Sequence, residues 1–205
     1  MPHVGVFPIG AVLLPTERLP LHIFEPRYRE LIGECIDSGG ELGMLFEDED
    51  GLRDLGTLAT VDEVVERFED GRLNVVVAGT RPFRVVAWTE GRSFRTAEVE
   101  TLDDVEDPPD ESQAGHALGL FRRLAEQAGS DVEPPEPDSD RLSYELAGRV
   151  EFTTDVKQEL LESRSERERL ERVAELLSSA IDALALEREV SERAARNGKI
   201  FAPKE

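Results

Sequence analysis

The first hundred residues alternate apolar and polar positions in short runs bounded by turn residues, a pattern typical of β-strands. The runs are VGVF, AVLL, LPLHIF, ELGMLF, GTLATVDEVVERF, RLNVVVAGT, PFRVVAW and FRTAEVETL. Asp70-Gly71 separates two of them, and this pair favours a tight hairpin because both residues tolerate positive φ. The pattern therefore predicts a small β subdomain over residues 1–102.

One helix is predicted within this β region, beginning at Pro26, whose missing N–H would be unpaired in a first helical turn anyway. The apolar positions that follow share one helical face: Tyr28, Leu31, Ile32, Cys35 and Ile36. Upstream, Leu21 and Ile23 alternate with His22, which predicts a strand with His22 on the opposite face. Glu25 then stands at the strand-to-helix junction, where a carboxylate favours the helix N-terminus.

Helical signals dominate after an acidic, proline-containing connector, DDVEDPPDE. We predict a helical subdomain over residues 103–205, with helices at 112–128, 140–150, 154–163 and 166–196. Gly129 suits a helix end. The expected N-caps are Ser139 or Asp140, Thr154, and a capping box formed by Ser165 and Glu168.

The last helix carries an apolar stripe: Leu170, Val173, Leu177, Ile181 and Leu184. The stripe forms either a dimer seam or part of the core of the bundle. We favour the core, because a coiled coil sustains its heptads over three to four repeats. The chain is therefore expected to be a monomer or a weak dimer through this helix. Val190, Ile200 and Phe201 are the expected anchors if the tail binds a partner.

The net charge of the chain argues against two classes of binding partner. The chain has 24 Lys and Arg against 45 Asp and Glu, a formal net charge of -21. Such a field repels phosphate backbones and anionic lipids, so neither nucleic acid nor membrane is an expected partner. A single cysteine excludes an intramolecular disulfide, and the N-terminus lacks the basic and apolar regions of a leader. We expect a cytoplasmic protein.

Two pairs of side chains suggest acid–base chemistry: His22 with Glu25, and Glu63 with Glu66. Either would suit a small hydrolase, which we keep as an alternative function. Neither pair comes with a nucleophile or a set of metal ligands, and abundant acids create such pairs by chance. We therefore predict no catalytic residue, no metal and no cofactor.

The segment FPIGAVLLPTERLPLHIFEPRYRELI resembles the start of the Lon protease amino-terminal domain, the substrate-binding domain of that family. The resemblance to this family continues along most of the chain, in the segments LGTLA, DGRLNV, GTRPFRV and KQELLE. One residue departs from the family pattern: Pro82 stands where an arginine usually precedes the phenylalanine. The resemblance implies an α+β fold, a PUA-like small β barrel with one early helix followed by a C-terminal helical bundle.

The same resemblance implies a non-enzymatic polypeptide-binding module, an adaptor or modulator of protein quality control. No GxxxxGK[ST] phosphate loop occurs, and the only lysines are Lys157, Lys199 and Lys204. We expect neither ATP hydrolysis nor serine–lysine proteolysis, and so a stand-alone form of the domain.

The expected partners are unfolded or exposed polypeptide segments and, as a further partner, a protease. The expected contact residues are Phe24, Glu25 and Arg27 at the barrel–helix junction and Phe201 on the tail. They would contribute to a cleft between barrel and bundle that accepts apolar segments. RNA binding, known for some PUA-type barrels, is the other alternative. The negative charge, the one Trp and the two Tyr disfavour it.

Overall fold

The computed structural model describes residues 2–198. Its strands are β1 (His3–Ile9), β2 (Arg18–Ile23), β3 (Leu42–Asp48), β4 (Gly51–Leu52), β5 (Leu55–Arg67), β6 (Leu73–Thr89) and β7 (Thr96–Thr101). Its helices are α1 (Pro26–Ser38), α2 (Glu111–Ala128), α3 (Leu142–Ala147), α4 (Thr154–Glu162) and α5 (Glu166–Gly198). None of the described helices is both long and apolar enough to cross a bilayer.

Five strands close into a barrel. Around the ring, β1 pairs with β7, β7 with β6, β6 with β5, β5 with β3, and β3 with β1 again. The β1–β3 pair is parallel, with Gly5 opposite Leu42 and Ile9 opposite Phe46, and the other four pairs are antiparallel. Outside the ring, β2 pairs with β6 and β4 with β3. A barrel followed by helices confirms the predicted α+β fold.

The barrel interior is filled by one cluster of buried side chains: Val4, Val6, Leu45, Leu58, Phe83, Ala97 and Val99. Phe83 is the largest of them and is 0% exposed. Its ring lies against the backbone of β3, because a Cβ built on Gly43 would come within 2.7 Å of the ring. The inner face of the barrel therefore depends on this one aromatic side chain.

Helix α1 packs on the outside of the barrel and confirms the predicted apolar face. Leu31, Ile32 and Cys35 are buried against side chains of β2, β3, β5 and β6. Pro26 occupies the first turn, as predicted, and the helix ends at Gly39 in the left-handed conformation, with φ 65°.

Cys35 gives a direct test of this packing. The side chain is buried, and burial raises the pKa of its thiol. Because the thiolate is the reactive species, we expect the native protein to react slowly with the thiol reagent DTNB and the unfolded protein to react at once. The chain has one cysteine, so the absorbance change reports this position alone. Equal rates with and without guanidinium would contradict the packing of α1 on the barrel.

Two predicted strand boundaries are wrong. The run AVLL is not a strand but a buried segment held by other groups: Thr57 Oγ1 donates to the Leu13 carbonyl at 2.5 Å, and Leu14 N donates to Glu17 Oε2 at 2.9 Å. The runs RLNVVVAGT and PFRVVAW form one continuous strand, β6. Pro82 lies inside it without a break, opposite Thr57 and two residues after Thr80, where β6 has one extra residue relative to β5.

The four later helices share a core with the loop and strand residues Val12, Leu14, Phe46, Leu55 and Leu102. In α5, Leu170, Val173, Leu177 and Ile181 are buried in this core and Leu184 packs at its edge. The apolar stripe of the last helix therefore covers the bundle, as favoured over a dimer seam.

The helix caps agree only in part with the sequence. Gly129 ends α2 as predicted, and Asp110 begins it with a capping box to Gln113 that was not predicted. Thr153, not Thr154, caps α4. Helix α3 follows Arg141 with no side-chain cap, and the Ser139 hydroxyl donates to Glu145 instead.

Only half of the predicted capping box at the start of α5 forms. Ser165 Oγ accepts the Glu168 N–H at 3.1 Å, as expected. The Ser165 N–H does not go to Glu168 but to Ser163 Oγ, at 3.4 Å. The Ser165 hydroxyl also donates to Asp107 Oδ2 at 2.7 Å, so the cap is tied to the acidic connector as well.

A buried charge network joins α5 to the acidic connector. Arg169 is 0% exposed, and its guanidinium lies 3.9 Å from the centre of the Tyr144 ring. Its N–H groups donate to Asp104 Oδ2 (2.5 Å), Glu166 Oε2 (2.6 Å), Ser143 Oγ (2.8 Å) and the Ser163 carbonyl (2.8 Å). Burial raises the pKa of the Glu166 carboxyl, and the hydrogen bonds from Ser143 and Arg169 oppose that shift.

Candidate functional site

The residue that follows β2, Phe24, is the most exposed aromatic side chain among the large hydrophobic residues on the described surface, at 61%. It stands there because the chain turns sharply between Ile23, the last residue of β2, and Pro26, the first of α1. Ile23 is buried, so the next side chain faces solvent. We define the Phe24 surface as His22, Phe24, Arg27, Tyr28, Phe68 and Arg72.

Aromatic rings are grouped on this surface. The His22 ring stacks on Phe24 with centroids 6.1 Å apart and meets Phe68 edge-on at 6.0 Å. Phe68 comes from the turn between β5 and β6, which reaches His22 because β2 pairs with β6. The Tyr28 ring packs on Phe7 at 4.4 Å, and burial raises the pKa of its phenol.

Two arginines frame the rings. The Arg27 guanidinium lies 4.5 Å from the centre of the Tyr28 ring and also pairs with Glu25 at 2.8 Å. Arg72 lies 5.1 Å from the Phe68 ring centre and pairs with Asp70 at 2.7 Å. Each guanidinium thus packs on the face of an aromatic ring and also pairs with a carboxylate. These two contacts hold the long arginine side chain in place at the surface.

A polar chain runs beside the rings. His22 Nδ1 and Asn74 Oδ1 are 2.7 Å apart, and Asn74 Nδ2 donates to Glu66 Oε2 at 3.1 Å. The Asn74 amide thus links the His22 ring to the Glu66 carboxylate. The Phe24 surface therefore offers apolar rings, cations and polar side chains side by side.

The structure brings together three of the four predicted contact residues. Phe24, Glu25 and Arg27 are adjacent, and Phe201 lies outside the described residues. Glu25 is the N-cap residue of α1 by position, but its carboxylate makes no cap bond and binds Arg27. Phe68, Arg72 and Asn74 were missed; only the Asp70-Gly71 hairpin signal pointed to that turn.

The boundary between barrel and bundle lies elsewhere. Lys157 of α4 pairs there with Glu17 at 2.5 Å, and Arg141 donates to the Thr80 carbonyl. A cavity of about 670 Å³ at this boundary is lined by Gly39, Gly40, Glu41, Thr60, Gly79, Thr80, Arg81 and Arg141. The ring and polar partners of the Phe24 surface lie on β1, β5, β6 and the β5–β6 turn.

The pairs considered for a hydrolase do not assemble. His22 is hydrogen-bonded to Asn74, and Glu25 to Arg27. Glu66 accepts from Asn74, whereas Glu63 is 3.7 Å from Arg18. In the described part of the chain no group of three or more His, Cys, Asp or Glu side chains could hold a metal ion.

A β barrel joined to a helical bundle places the chain in the α+β class. The chain belongs to the family of the ATP-dependent protease La (LON) substrate-binding domain, whose model matches residues 3–179. Among curated proteins it is 26% identical over 201 residues to the Lon protease of Paraburkholderia phytofirmans. It is 24% identical over 208 residues to the Lon protease of Escherichia coli K12.

The matched segments cover 90% and 93% of this chain but only 25% and 26% of those two proteases. Two solved structures share the fold. The Lon N-terminal domain protein from Xanthomonas campestris has a TM-score of 0.67 at 24% identity, covering 84% of this chain and 97% of that one. The N-terminal domain of the Mycobacterium avium complex Lon protease has a TM-score of 0.70 at 21% identity, covering 86% and 98%.

Proposed function

We propose that this chain is a non-enzymatic module that binds unfolded or exposed polypeptide segments through the Phe24 surface. The observation that carries the proposal is the exposed ring of Phe24, grouped with His22 and Phe68. Family membership supports the general role, since the matched model is that of a substrate-binding domain.

The physical basis is shallow apolar contact. Each Å² of apolar surface removed from water contributes about 25 cal/mol, so an aromatic side chain resting on Phe24 gains affinity without a deep pocket. Arg27 and Arg72 offer N–H groups to the carbonyls of an extended segment. Such contacts are tolerant of sequence, as recognition of many unfolded clients requires.

The module acts in the cytoplasm as an adaptor or modulator of protein quality control, with a protease as a further partner. The net charge of -21 favours cationic and neutral segments and disfavours nucleic acid. Partner recognition therefore combines contact with the aromatic rings of the Phe24 surface and attraction by the negative net charge of the chain.

Replacing Phe24 with alanine tests the proposal. A fluorescein-labelled neutral peptide rich in phenylalanine is expected to bind the variant roughly tenfold more weakly, because an exposed aromatic anchor contributes about 1–2 kcal/mol. Fluorescence anisotropy measures the affinity. The matched control is Trp88→Ala, which removes another exposed ring, 48% exposed, at the far end of β6. Equal affinity of Phe24→Ala and the unmodified protein, or an equal loss in both variants, would refute the assignment.

A further inference from the structure

A second surface, distant in the fold from the Phe24 surface, has the shape of a binding groove. It is a cleft of about 740 Å³ between the acidic connector, the start of α2 and the loop that precedes α3. Its apolar lining comes from Val105, Pro108, Pro109, Ala114, Pro137 and Leu142. Val105 is 53% exposed, so part of this lining is open to solvent.

The walls of the cleft are held in place. The Val105 N–H donates to the Arg164 carbonyl at 2.8 Å, and Asp107 pairs with Arg167 at 2.9 Å. Asp110 is fixed by its capping box with Gln113. Prolines on both sides of the cleft further restrict the backbone. A cleft with fixed walls loses little conformational entropy when it binds a ligand.

The charged side chains that line the cleft are all acidic. Among the described residues that line it, no arginine, lysine or histidine occurs, and carboxylates occupy both walls. Asp104 and Asp107 are neutralised from below by arginines of α5. Glu106, Asp138 and Asp140 have no ion pair with a described residue, and all three are exposed. An occupant with positive charges complements this rim.

A smaller cavity adjoins the inner end of the cleft. It measures about 170 Å³ and shares Asp104 and Asp140 with the cleft. Tyr144 lines it, is 2% exposed, and carries a hydroxyl with no hydrogen-bond partner in the described part of the chain. Arg81 and Arg141 also line it, but their guanidinium groups bind Glu41 and the Thr80 carbonyl. The Tyr144 hydroxyl is itself almost inaccessible to solvent, so the groups this cavity offers to a cation are the carboxylates of Asp104 and Asp140.

We infer that this cleft binds a polypeptide segment in which basic and apolar residues alternate. The inference deepens the proposed polypeptide-binding function and rests on it, because it assigns a charge-selective site to the same module. The apolar residues of the segment contact Val105 and the prolines, and its cations face the unpaired carboxylates.

Reversing the charge of two rim residues tests the inference. The probe is a fluorescein-labelled peptide of alternating arginine and leucine, with an alternating glutamate–leucine peptide for comparison. The double variant Glu106→Lys with Asp138→Lys is expected to bind the basic peptide roughly tenfold more weakly at low salt. The glutamate–leucine peptide is expected to show no measurable binding to the unmodified protein.

The matched control is Glu49→Lys with Glu90→Lys, two exposed positions on turns of the barrel. It changes the net charge by the same amount. A loss confined to the cleft variant supports the site, whereas equal losses in both variants, or no loss, overturn it.

Phe24→Ala separates this inference from the proposed function. It is expected to weaken binding of the neutral phenylalanine-rich peptide roughly tenfold and binding of the arginine–leucine peptide by much less than the double cleft variant does. A cleft variant that binds the neutral peptide normally but not the basic one supports two separate sites. Loss of both peptides in Phe24→Ala would overturn the cleft as the site of basic segments and leave the Phe24 surface in place.

Discussion

Replacing Arg169 with methionine is expected to lower the free energy of unfolding by about 3–5 kcal/mol. The reason is that the carboxylates paired with Arg169 would lose their cation. Glu166 is 5% exposed, so its carboxylate would stay in a region of low dielectric without its cation, and Asp104, whose side chain is 31% exposed, would lose its partner as well. Methionine fills much of the volume, so the loss is electrostatic rather than a cavity effect. Urea unfolding followed by circular dichroism and by the fluorescence of Trp88, the only tryptophan, measures the change.

Arg172→Met is the matched control on the same helix. Arg172 also makes two ion pairs, with Glu159 at 2.8 Å and Glu175 at 3.1 Å, but its side chain is 39% exposed. Exposed pairs contribute about 0–1 kcal/mol, so this variant is expected to unfold almost as the unmodified protein does. Similar losses for Arg169→Met and Arg172→Met would show that burial of the network does not decide its energy.

Replacing Phe83 with alanine is expected to cost about 3–5 kcal/mol, comparable to the Arg169 change but with a different cause. Phe83 lies in the barrel interior against Gly43, and the strands of a closed ring cannot collapse far into the space it leaves. The same urea experiment measures the loss.

Phe24→Ala serves as its control, since Phe24 is exposed and its removal is expected to change stability by less than about 0.5 kcal/mol. Comparison of the two variants thus distinguishes the stability lost from core packing from that lost by removing an exposed ring. A small effect at Phe83 would contradict the close packing of the barrel interior.

Local signals predicted the parts of this fold that depend on neighbours in sequence. Pro26 and the spacing of apolar residues after it were enough to predict α1, and the stripe in α5 was enough to assign its buried face. The runs RLNVVVAGT and PFRVVAW were expected to be separate strands, but β6 continues through Pro82, with Thr80 as an extra residue relative to β5. A proline pattern alone does not reveal such an irregularity.

Features that depend on distant pairing could not be predicted. Phe68 joins the Phe24 surface only because β2 pairs with β6, and no local pattern specifies that pairing. No local pattern marked Arg169 as buried, and its partner Asp104 comes from the connector, 65 residues earlier in the chain. Of the six residues of the Phe24 surface, two, Phe24 and Arg27, were therefore predicted as contact residues from the sequence, and the other four required the fold.

The pairing of β1 with β7 closes the ring and has a consequence for biosynthesis. Of the seven strands β1 is translated first and β7 last, so His3 cannot pair with Glu98 until the other strands have been made. Until then the nascent chain exposes an apolar strand with one unsatisfied edge, which is open to misassociation. The barrel is thus expected to close only after β7, which ends at Thr101, has been translated, and ring closure is expected to be its slowest folding step.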